Sequence, residues 1–199
     1  MGTMLQEPIY EYDALTQREI IYDANAAAQW VTHLETQGLI GEPARVDWLR
    51  RLGRLEEAEQ LGWKVLHRSG GPAGRFDDLH APLPLTAVEA AVRLAKVLIS
   101  QGEAVLAQLL NEQALASVEA VDPLGDDANY ADYLEQVVYC HIARCMVAEA
   151  RYTEALDAAQ TALQASNQAS TREDQVAPVH QLLNSITSII EQESVSVVG

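Results

Sequence analysis

The chain has 199 residues, with 13 basic against 29 acidic side chains and a formal net charge of −16. That balance excludes binding to a nucleic-acid backbone or an anionic membrane through net charge, so neither is an expected partner. Apolar residues make up 48% and charged ones 21%, ordinary values that exclude a wholly disordered chain.

Residues 1–12 lack periodicity and are expected to form a flexible N-terminus. Thr16 with Glu19 spells a capping box, after which Ile20, Ala24, Ala27, Val31 and Leu34 share one helical face as far as Gly38. Pro43 suits the first turn of a shorter helix ending at Gly53, and a further helix is predicted over 54–68. Ser69-Gly70-Gly71-Pro72-Ala73-Gly74 then breaks the chain, and a surface loop is expected as far as Pro84. Thr86 and Glu89 spell a second capping box, opening a helix that stops at Gly102. Another covers 103–121 and ends at Asp122-Pro123-Leu124-Gly125. A long helix over 127–149 precedes one over 153–167. The last begins near Thr171 or Asp174, so that Pro178 falls in its first turns, and carries Val179, Leu182, Ile186 and Ile189 on one stripe to about 191. Residues 193–199 are expected to be a flexible tail. Alternating apolar and polar runs are missing, as are Asn-Gly and Asp-Gly turns. The prediction is an all-α fold of about eight helices without a sheet, one domain over 13–192.

The helices fall into pairs, and the pairs repeat. Aligning the tight turns at Gly53, Gly102 and Ala150 puts Val46, Ala95 and Ala143 seven residues before each turn, and Leu49, Leu98 and Met146 four before. Five residues after come Ala58, Ala107 and Ala155; twelve after come Val65, Ala114 and Ala162. Small residues at such crossings let helix axes approach to about 8–9 Å. Pairs are therefore predicted over 39–69, 86–121 and 127–168, with the helix over 174–191 closing the last one.

On this template the chain resembles the tetratricopeptide-repeat (TPR) family over 39–69, 88–119 and 136–167. Its best stretch is Ala150-Arg151-Tyr152-Thr153-Glu154-Ala155-Leu156 through Ala162-Leu163, followed by Gly102 through Ala114. The spacing of 48–49 residues exceeds the family's period, which makes this a long-helix, divergent form. The resemblance implies a right-handed superhelix whose concave inner surface binds a peptide or protein. It also implies that positions six before each turn, Asp47, Lys96 and Arg144, face that surface, with Arg50 near them. Pro43, Asp47 and Val137 occupy positions where the family's carboxylate clamp needs Lys or Asn, so binding of chaperone tails is not implied.

No catalytic motif is found. Gly70-Gly71-Pro72-Ala73-Gly74 lacks the Lys-Ser/Thr that grips phosphate, and GxSxG and GxGxxG are missing. Cys140, His141 and Cys145 share one helix, but Cys140 lies about 140° around it from Cys145, and no further ligand completes a metal site. Cys145 is expected to be a small buried thiol and His141 a residue of the polar edge. Asp77, Asp78 and His80 are expected to be solvated loop polarity. Trp30, Trp48 and Trp63 are expected in the core or between pairs. Two cysteines cannot build a disulfide framework, the acidic start is not expected to be a secretory leader, and no membrane-length apolar run occurs in the sequence; the expected setting is cytoplasmic, with no cofactor and no metal.

Charge is distributed unevenly. Residues 41–80 balance seven acids with seven bases, whereas 81–199 hold sixteen acids and five bases, Arg93, Lys96, Arg144, Arg151 and Arg172. Two readings follow for the cations in register. Arg50, Lys96 and Arg144 converge as a positive stripe for an acidic segment, or each neutralises a neighbour, Lys96 with Glu89 and Arg144 with Asp47. The expected function is a non-catalytic protein-interaction module. The alternatives are a structural or regulatory homodimer joined through apolar end faces, and an all-α enzyme with an unrecognised site.

Overall fold

The protein is described by a computed structural model over residues 8, 10–13, 18–75, 82–122, 124–168 and 173–198. Among these residues a short hairpin of β1 (Tyr10–Asp13) and β2 (Arg18–Ile21) precedes eight helices: α1 (Ala24–Thr36), α2 (Glu42–Arg51), α3 (Leu55–Arg68), α4 (Leu85–Ser100), α5 (Ala104–Glu119), α6 (Ala128–Ala148), α7 (Tyr152–Gln168) and α8 (Glu173–Val198). Among the described residues the fold is all-helical apart from that hairpin, as the 3.6-residue periodicity requires.

The hairpin corrects the expectation of no sheet; of the segment expected to be flexible, residues 10–12 lie in β1, and 1–7 and 9 are outside the described residues. β1 and β2 pair antiparallel, with Glu11 opposite Ile20. Glu19, assigned to a capping box with Thr16, lies in β2 instead; Thr16 is outside the described residues. The helix starts later, at Ala24, where Asp23 Oδ1 accepts from the backbone N–H of Ala26 at 2.9 Å. The second predicted box does not form either. Thr86 sits inside the first turn of α4, behind an N-cap at Pro84, and its hydroxyl donates to the Ser69 carbonyl. At the other end α8 continues to Val198, through most of the expected tail. No Gly or Pro interrupts the sequence between Pro178 and Gly199, and extending a formed helix is far easier than starting one.

The three aligned turns share one geometry. Gly53, Gly102 and Ala150 have φ of 73°, 84° and 58°, and the next residue's N–H returns to the carbonyl of Leu49, Leu98 or Met146. The small-residue template is buried throughout: Val46, Ala95 and Ala143 before the turns, Ala58, Ala107 and Ala155 just after, Val65, Ala114 and Ala162 further on. Each helix from α2 onward packs on the next in sequence, and α2 touches α4, α4 touches α6, and α6 touches α8. The even helices thus form one layer, and α3, α5 and α7 pack behind it, each against two even helices. α4 is the centre of the core, with Ala87, Val88, Ala91, Leu94, Ala95, Val97 and Leu98 fully enclosed. A separate cluster of Ala27, Val31 and Trp48, flanked by Ile21, Trp30, Ile40 and Leu52, joins the hairpin and α1 to α2. No helix among the described residues is long and apolar enough to cross a membrane.

Candidate functional site

Three of the even helices carry polar residues three apart, hence on one face: Asp47 and Arg50 on α2, Arg93 and Lys96 on α4, His141 and Arg144 on α6. Because these helices are neighbours in one layer, the three faces meet. Arg93 reaches across to bond Asp47 Oδ2, tying α4 to α2. At the α2 edge β2 supplies Glu19, whose two carboxylate oxygens are taken by Arg50 and Arg51, the latter at 3.0 Å. Arg51 also lies 4.8 Å over the Trp48 ring, which fixes its guanidinium. On α6, Arg144 Nη1 is 3.4 Å from both ring nitrogens of His141. Beside them a cleft of about 280 Å³ opens between α6 and α8, lined by Tyr133, Val137, Cys140, His141, Arg144 and Pro178 among others.

Among the described residues, five basic side chains therefore gather on this layer, against Glu19 and Asp47. The electrostatics record their closeness. Burial pulls the Lys96 ammonium down to about 8; Asp47 and Glu19 oppose the shift, whereas Arg144 and Arg50 add to it. Burial would raise the Glu19 carboxyl, but the hydrogen bonds and charge of Arg51 and Arg50 outweigh it and hold the group at about 2. His141, only 2% exposed, is kept neutral first by burial and then by Arg144, Lys96 and Arg50. The Lys96 carbonyl accepts from the Ser100 hydroxyl at 3.0 Å, while its ammonium feels Asp47 and Glu19 only as neighbouring charges. Buried Arg50 Nε and Asp47 Oδ1 lack a hydrogen-bond partner among the described residues.

Arg50, Lys96 and Arg144, singled out by their distance from the turns, thus come together with Asp47. Among the described residues the acids of the alternative pairs are engaged by another cation. Arg93 takes Asp47 and lies 3.9 Å from Glu89, whose other oxygen accepts from the Tyr130 hydroxyl. Arg93, three residues before Lys96, was legible from helical spacing. Glu19 and Arg51 were not, because they join the site through a contact 32 residues apart in the chain. His141 is buried rather than on a polar edge. Cys145 is the small buried thiol expected: Asn111 donates to its sulfur at 3.5 Å, and burial pushes it up to about 12. Asp77, Asp78 and His80 lie outside the described residues. Among those described, no three potential metal ligands gather. No family model matches the chain, and no curated protein or solved structure shows significant similarity to it.

Proposed function

We propose that the protein is a non-catalytic interaction module of TPR-like build, in which the even-helix layer is the concave face of a right-handed superhelix. Its ligand is an acidic segment of a peptide or protein. The observation that carries this reading is the gathering of Arg50, Arg51, Arg93, Lys96 and Arg144 on one layer of a chain whose net charge is −16. Repeated turns, repeated burial of small residues and two-layer packing support the TPR-like assignment. An acidic partner would be drawn to this layer and repelled by the rest of the surface, which favours a single docking register. Arg guanidinium groups hold carboxylates bidentately, whereas Lys96 acts as a point charge.

The test is affinity capture from a native lysate with the wild type and with Lys96→Glu/Arg144→Glu, followed by titration of the captured partner. The double substitution is expected to weaken binding at least tenfold, and wild-type affinity to fall steeply with salt. Binding that ignores both would overturn the reading. A homodimer is favoured by a different observation: Ile20, Tyr22 and Leu39, all ahead of α2, are 47%, 65% and 70% exposed. Light scattering separates the two readings, since the dimer doubles the mass.

A further inference from the structure

Glu19 enters the cationic layer from outside the helical repeats. Its strand packs on α2, Ile21 reaches the cluster around Trp48, and its carboxylate is only 13% exposed. It is in electrostatic reach of Lys96 as well as bonded to Arg50 and Arg51. An extended backbone presenting a carboxylate to a guanidinium pair is the chemistry that an acidic partner segment would bring. The layer is also unsaturated, because buried Arg50 Nε and Arg93 Nε have no hydrogen-bond partner among the described residues.

We propose that the β1–β2 hairpin is a resident competitor for the partner surface: Glu19 fills the guanidinium pair that an acidic segment takes, and binding of that segment displaces it. This rests on the acidic-segment reading of the layer. A partner must therefore first break a partly buried, charge-assisted contact, which lowers its apparent affinity by the fraction of molecules in which Glu19 is seated. Dense acidic segments, which offer several carboxylates to the remaining cations, displace it more readily than isolated ones.

The experiment uses the full chain and fluorescein-labelled hexaglutamate, followed by anisotropy at low salt. Glu19→Gln keeps the shape of the side chain and removes its charge; it is expected to bind the probe at least fivefold more tightly than the wild type. Glu57→Gln, on α3 and paired with Arg54, makes the same change in net charge and is expected to leave the affinity as it was. In the wild type, saturating probe should speed hydrogen exchange at the amides of 18–21. That second readout holds even if Glu19→Gln loosens the hairpin. Equal affinity of wild type and Glu19→Gln, or slower exchange in β2, would overturn the competition while leaving the groove reading intact. If the probe binds neither form, both fall.

Discussion

Ala150 closes the third turn with φ of 58°, a conformation that glycine adopts freely and alanine does not. Its equivalents Gly53 and Gly102 have nothing within 4 Å of the place a Cβ would occupy, so only backbone conformation distinguishes the residues there. Ala150→Gly is expected to raise stability by about 1 kcal/mol, and Gly53→Ala or Gly102→Ala to lower it by a similar amount. Urea denaturation would measure both. Lys96 makes a second prediction at this scale. Its ammonium titrates near 8 in the folded protein against 10.5 ordinarily, so the unfolded chain binds the proton that the folded chain gives up between those values. Stability contributed by this group therefore rises with pH from about 8 to 10.5, by on the order of 2 kcal/mol. Lys96→Met should remove the rise, and parallel urea melts at pH 8 and pH 10 would show it as a smaller difference between the two. An identical pH dependence in the variant would contradict the burial of that charge.

The approach of α3 to α4 is governed by Gly62, where a Cβ would come within 2.8 Å of Leu94 Cδ1. Alanine normally improves a helix by about 1 kcal/mol over glycine, but Leu94 is fully buried and its methyl has no free space to enter. Gly62→Ala is thus expected to destabilise by about 1–2 kcal/mol, and to become neutral or stabilising in a Leu94→Val background, a coupling that a double-mutant cycle measures. The same close approach explains how much of the architecture was legible. Alanines and turn residues in fixed register identify where helices cross, and Ala150 was found by alignment although it is not glycine. The hairpin was not legible, since Ile20 fits the face begun by Ala24, Ala27 and Val31, and nothing local marks a turn before it. What decides the strand is non-local, the seating of Glu19 on Arg50 and Arg51 and of Ile21 beside Trp48. The caps failed for a related reason. Thr86 and Glu89 have the right spacing, but Ser69 and Arg93 offer them other partners.

Across the whole molecule, negative charge accumulates beyond residue 81 while the cations that remain there are largely committed to ion pairs or the even-helix layer. Self-repulsion of this kind is screened by salt, so raising NaCl from about 20 to about 500 mM is expected to raise the melting temperature by several degrees, while weakening any acidic ligand. A melting temperature that falls with salt would mean that ion pairs such as those of Arg75 with Glu59 and Glu103 outweigh the repulsion. Contacts that run mainly from one helix to the next also leave the two ends of the stack only indirectly coupled. The indoles, Trp30, Trp48 and Trp63, all belong to the first 63 residues, and Trp63 is anchored on Glu59. Intrinsic fluorescence is consequently a local gauge of α1 to α3, whereas far-ultraviolet dichroism averages over every helix. In a urea titration the two signals are expected to part, each with its own midpoint, so that the optical probes resolve the stack into segments that loosen in turn.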